Sequence, residues 1–154
     1  MKRALILLGL VPVLAGCSIT RNVMPVAGGI ERGAVICVED NPRVTEPEIL
    51  SVITNSISSH GYKPKIYRDV PDDCAYRLTY VAYRKWDFTS FLSQADIRLF
   101  EDNEMIGQVF YKLPDAPFGG GGLNASKWAS TEEKIAPLMD ELLRGASETG
   151  ELGT

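Results

Sequence analysis

The segment from Tyr76 to Trp86 constrains the fold most. Tyr76, Leu78, Tyr80, Ala82 and Trp86 alternate with Arg77, Thr79, Tyr83 and Lys85, and Val81 alone interrupts the polar face. A period of two sustained this long is a strand with one face buried and the other wet, which belongs in an antiparallel sheet. A loop near Asp87 to Phe91 leads to Ala95, Ile97 and Leu99, again alternating, and Asp102-Asn103 is a tight-turn signal before Met105 to Lys112. These three strands form an antiparallel meander.

The pattern before the meander is different. Ala34 to Val38 is a short, continuous apolar run rich in β-branched residues, which suits a strand inside a sheet. Thr45 and Glu48 are spaced as a capping box, Ile49, Val52, Ile53 and Ile57 keep one helical face apolar, and Gly61 supplies a left-handed stop. Lys63 to Val70 is a second strand, whose lysines and Pro64 are devices that protect a sheet edge. Strand, helix and strand imply a right-handed parallel crossover. After a loop over Pro114 to Gly122, Ser130 and Glu133 form a second capping box ahead of Ile135, Leu138, Met139 and Leu142. Pro137 lies inside that helix, which predicts a kink or a later start. The order β-α-β-β-β-β-α gives an α+β fold of two layers, a mixed and mostly antiparallel sheet with two helices on one face.

The N-terminus decides the compartment. Lys2 and Arg3 precede an apolar stretch from Ala4 to Val13, of signal-peptide length. Counted on to Cys17, before polar Ser18, the run from Ala4 ends after about 14 residues, short of the roughly 20 that span a bilayer. Leu14-Ala15-Gly16-Cys17 resembles the lipobox of bacterial lipoproteins at all four positions. That resemblance implies cleavage after residue 16, lipid (diacylglycerol and a fatty acid such as palmitate) on Cys17, and a membrane as first partner. Removing residues 1–16 takes Lys2 and Arg3 from the 16 basic residues and leaves 14 against 20 acidic, a formal charge of −6. No concentrated positive face for a nucleic acid follows from such a balance. Residues 17–32, with Pro25, Gly28 and Gly29, read as a lipidated tether, 33–145 as one domain and 146–154 as a flexible tail. With Cys17 lipidated, Cys37 and Cys74 remain as an even pair in an oxidising compartment, which predicts a disulfide. Two separate buried thiols are the alternative.

Candidate chemistries are sparse. His60 is the only histidine and sits beside Gly61, where it favours the end of a helix dipole over catalysis. Without a second histidine, neither a triad nor a zinc site of the usual ligands assembles from these residues. Asp72-Asp73 and Glu132-Glu133 are carboxylate pairs, but one lies in a turn and the other in a helical first turn, where acids are favoured anyway. Gly119, Gly120, Gly121 and Gly122 followed by Lys127 lack the spacing of a phosphate loop. Of the aromatic group, Tyr76, Tyr80 and Trp86 share the inward face, whereas Tyr83 and Phe88 are free for contact. No metal or cofactor is expected.

Several segments together resemble a family of small proteobacterial lipoproteins without an established activity. They are Arg21 to Gly29, Trp86-Asp87, Gly120 to Gly122, Ser126-Lys127 and Glu132 to Ile135. At the level of element order the chain is also similar to the amino-terminal domain of TolB and to outer-membrane lipoproteins that activate peptidoglycan synthases or assemble secretion channels. Such likeness implies no catalytic residue. The short tether departs from the long ones of synthase activators, and Ser18 after the lipidated cysteine implies sorting to the outer membrane, facing the periplasm. The expectation is a non-enzymatic accessory lipoprotein that binds another envelope protein or its own copies. The alternative is a carrier of a small ligand, such as a glycan or lipid fragment, held between the aromatic strand and Gly119 to Gly122. A hydrolase using Asp72, Asp73 or Asp87 ranks last.

Overall fold

A computed structural model describes residues 19–115 and 125–148. Six strands and two helices follow in the order β1 (Thr20–Met24), β2 (Val35–Glu39), α1 (Ile49–Ser59), β3 (Lys63–Tyr67), β4 (Tyr76–Asp87), β5 (Thr89–Glu101), β6 (Glu104–Lys112) and α2 (Thr131–Glu148), with a 3-10 turn at Ala125–Trp128. The strands form one mixed sheet in the order β1-β6-β5-β4-β2-β3. β2 is parallel to β3 and β4, and the other pairs are antiparallel. The expected α+β architecture is therefore present, with one strand more than the sequence pattern suggested.

Both helices cover the same face of the sheet. Ile49, Val52, Ile53 and Ile57 of α1 meet Ile135, Met139, Leu142 and Leu143 of α2 over Ile36, Val38, Leu78, Ile97, Leu99 and Val109 of the strands. α1 ends as Gly61 predicted: its φ is 82°, and Tyr62 N–H donates to the Ile57 carbonyl. The second capping box is also formed, with Glu133 N–H donating to Ser130 Oγ at 3.1 Å and Ser130 N–H to Glu133 Oε2 at 2.9 Å. α2 starts where this box places it and continues through Pro137, whose side chain is exposed.

The first capping box is not formed. α1 begins only at Ile49, after Pro47, and the carboxylate that serves its start belongs to Glu46, which accepts from Glu48 N–H at 3.5 Å. The strand expected over Lys63 to Val70 ends at Tyr67. Asp102 and Asn103 both have positive φ, 46° and 71°, as a two-residue hairpin of the favoured type requires.

The larger correction concerns residues 17–32. From Thr20 onward they belong to the domain: β1 pairs antiparallel with β6, and Val26 and Ile30 are buried in the core. Val26 N–H donates to the Leu142 carbonyl at 3.0 Å and Ile30 N–H to that of Ala146 at 3.2 Å, so this segment also supplies donors to the last turns of α2. For the same reason the tail starts later than residue 146, since Ala146 is buried and the helix runs to Glu148.

Candidate functional site

The β4–β5 hairpin is the most unusual part of the described chain. Trp86-Asp87 does not lead into a loop over Asp87 to Phe91, because β4 ends at Asp87, β5 begins at Thr89, and Phe88 alone turns the chain. Phe88 has φ 57°, a left-handed backbone that a bulky residue rarely adopts, and its side chain is 88% exposed. Trp86 is 74% exposed beside it. Trp86 does have the parity of Leu78, Tyr80 and Ala82, but burial along β4 stops after Ala82, so the strand's outer third leaves the core that its period predicted.

The residues around Asp87 come from three elements. The 3-10 turn brings Lys127, fully buried, whose Nζ is paired with Asp87 Oδ2. Lys127 also lies 4.9 Å from the ring centre of Phe91 and 5.0 Å from that of Trp128. Trp128, 40% exposed, donates from its indole nitrogen to the Asp87 carbonyl at 3.4 Å. From α2, the buried Lys134 donates to the carbonyls of Lys127, at 2.6 Å, and Leu92, at 3.2 Å. Burial lowers the Lys134 pKa to about 8, opposed by the carboxylates of Glu46 and Glu133. Glu46 is itself buried and accepts from Arg84 Nε of β4 at 3.2 Å. The structure thus gathers Trp86-Asp87, Lys127 and Lys134, residues that sequence reading could quote only as separate segments.

A bulge sets up this end of the hairpin. Ser93 is the extra residue between the pairs Tyr83↔Gln94 and Arg84↔Leu92, and its hydroxyl donates to the Tyr83 carbonyl at 2.9 Å. Tyr83 is 55% exposed, on the uncovered face of the sheet, as its alternation predicted. It lines a shallow hollow of about 510 Å³ with Lys85, Gln94, Lys112 and Asp115.

The other sequence candidates stand elsewhere. Cys37 and Cys74 form the predicted disulfide, Cα to Cα 6.5 Å, tying β2 to the segment before β4. His60 caps α1 and its Nε2 lies 3.1 Å from Asp140 Oδ1, joining the two helices. Asp72 and Asp73 are exposed ahead of β4, whereas Asp87 ends it. The eleven steps of strand from Tyr76 to Asp87 lie between them, about 36 Å at 3.3 Å per residue, far beyond the separation of a glycosidase pair. Glu133 is engaged in its capping box. Cys17 and Gly119 to Gly122 lie outside the described residues. Among the described residues no group of three His, Cys, Asp or Glu side chains could hold a metal, and no helix is long and apolar enough to cross a membrane.

No protein-family model and no curated protein matches the chain. Solved structures that share its fold include a PelC dodecamer from Paraburkholderia phytofirmans, with TM-score 0.51 at 11% identity, and a single-substitution variant of it, with 0.53 at 10%. The matches cover 83% and 84% of this chain and 98% of each PelC chain. At such identity the likeness is one of fold.

Proposed function

We propose that the chain is a lipid-anchored accessory protein of the bacterial envelope that acts by binding, with its own copies or another envelope component as partner, and performs no catalysis. The observation that carries this reading is the pair of outer strands, β1 and β3, each joined within the sheet to one neighbour only. Such edges are templates for strand addition. β3 bears Lys63, Pro64 and Lys65, which discourage pairing, whereas Thr20–Met24 carries no proline and a single charge, which makes β1 the better template. The PelC chains of the same fold are dodecamers, which supports self-association as one form of this binding. Asp72 and Asp73 stand far from Asp87, Asp87 is paired with Lys127 and Glu133 is held in its capping box, and this supports the non-enzymatic reading. The lipobox and Ser18 support anchorage through Cys17 in the outer membrane, facing the periplasm.

Crosslinking of the lipidated protein in its native envelope tests partner and location together. A repeated neighbour, or a ladder of its own multiples, is the expected result. Recovery of the lone monomer at every crosslinker length would overturn the reading.

The hollow beside Tyr83 supports a second reading, a carrier of a small polar ligand such as a glycan fragment. There an exposed aromatic ring stands next to amide, amine and carboxylate groups. Chemical-shift changes confined to Tyr83, Gln94 and Lys112 on titration with glycan fragments, lost in Tyr83→Ala, would establish it.

A further inference from the structure

We propose that the β4–β5 hairpin tip is a second membrane contact, in which Trp86, Phe88 and Trp128 seat at the headgroup level of the bilayer that holds the Cys17 lipid. The proposal rests on the anchored reading above and adds to it a surface of the folded domain.

Three observations lead to it. The first is the apolar tip itself. Trp86 and Phe88 are the two most exposed large apolar side chains among the described residues, and Trp128, bonded to the carbonyl of Asp87 between them, adds a third ring. Indole rings suit the membrane interface because one edge is apolar and the other carries a polar N–H.

The second is that the tip is held in place at a cost. A left-handed phenylalanine is a strained residue, and it persists because Asp87 next to it is fixed by the buried Lys127. A side chain turned outward at a conformational cost, on a support this rigid, is placed for contact.

The third is position. β1 enters the sheet from the tip's end, since Thr20 pairs with Lys112 and Lys112 with Gln94, while the chain runs from Thr89 at the tip toward Gln94. Five residues of strand put Thr20 about 16 Å short of the tip. Cys17 lies three residues further back along the chain, which reach about 10 Å, and the remaining distance of about 6 Å is within the length of a lipidated cysteine side chain, so an anchor there and the aromatic rings can meet one bilayer surface together. Lys85 and Lys112 lie toward the same end but share Asp115 between them, at 2.9 and 3.0 Å, so the aromatic rings and not a net positive charge carry the contact.

The test uses the mature chain from residue 17 carrying Cys17→Ser, so that lipid cannot supply the binding, with vesicles of phosphatidylethanolamine and phosphatidylglycerol. Sedimentation with the vesicles and a blue shift of tryptophan emission are expected. Trp86→Ser and Phe88→Gly should each weaken the partition about tenfold, the loss expected when one large ring no longer enters the interface. Phe88→Gly guards against misfolding, because glycine accepts positive φ and should leave the domain at least as resistant to urea. Vesicle binding that is absent, or equal in the variants and the parent, would overturn the proposal. So would a change of oligomeric state in Phe88→Gly without a change in vesicle binding, which would assign the tip to contact between copies. Metabolic labelling with palmitate, abolished by Cys17→Ser, tests the anchor separately. Unlabelled protein whose vesicle binding still depended on Phe88 would overturn the anchor and leave the tip.

Discussion

Lys127 is completely buried and paired with the carboxylate of Asp87, the residue that precedes the left-handed Phe88. A charge taken out of water is stabilised only with its partner in place, so removal of one member is costly while joint replacement is not. Lys127→Met and Asp87→Ala should each lower stability by about 3 kcal/mol, and the double variant should lose clearly less than their sum. Urea unfolding of the four proteins measures this coupling. Additive losses would show that the two side chains act independently.

The disulfide closes a segment of 37 residues between β2 and β4. Its Cys37 partner has the parity of Lys65 and Arg77, on the face that the helices do not cover, and is nevertheless buried. Chain-entropy arguments give about 4 kcal/mol for a loop of that span. The Cys37→Ala, Cys74→Ala chain should unfold at correspondingly lower urea. Non-reducing mass spectrometry of the exported protein should show two hydrogens fewer and no alkylation at either position, and free thiols at both would refute the bridge.

The architecture was readable where side-chain period and burial agree. Leu78, Tyr80 and Ala82, Ile97 and Leu99, and the helical faces of Ile49 to Ile57 and Ile135 to Leu142 all have the burial that their spacing implies. β1 was not readable, because Thr20–Met24 is an edge strand with mostly exposed side chains and its partner β6 lies some ninety residues away along the chain. Nothing local distinguishes it from a tether. The hairpin tip was missed for a related reason: a phenylalanine at positive φ is not a turn signal, and what holds it is a lysine forty residues later. The spacing of Trp86 put it in the core because periodicity reports which side a residue faces and not how far the opposite layer extends.

Gly145 offers a test of the corrected N-terminal segment. In the interior of a helix, Gly→Ala ordinarily stabilises by about 1 kcal/mol. Here a Cβ would stand 2.5 Å from the backbone oxygen of Val26, which the sheet and the Val26–Leu142 bond prevent from yielding. Gly145→Ala should therefore destabilise by about 1 kcal/mol or more. A gain in the urea midpoint would mean that residues 20–30 do not pack on α2 as described.

Lys134 predicts an alkaline rise in stability. Unfolded, its amine keeps a proton up to about 10.5, whereas in the folded chain burial lowers that limit to about 8. Below pH 8 both states are protonated and the penalty of a buried ammonium is constant. Between the two values the unfolded chain binds the extra proton, so unfolding becomes harder as pH rises. Tyr76, Tyr80 and Tyr111 act in the opposite sense: burial raises each of them, Tyr111 to about 12, so the folded state keeps phenolic protons that the unfolded state loses from pH 10 upward. The urea midpoint should accordingly climb from about pH 8 to just below 10 and fall beyond it. Lys134→Met, which fills the site without a charge, should remove the climb and leave the fall. A parent curve that is flat between pH 8 and 10 would show that the two carbonyls of Lys127 and Leu92 keep the ammonium charged, and the site would then be an ammonium-binding pair of carbonyls with no titration in this range.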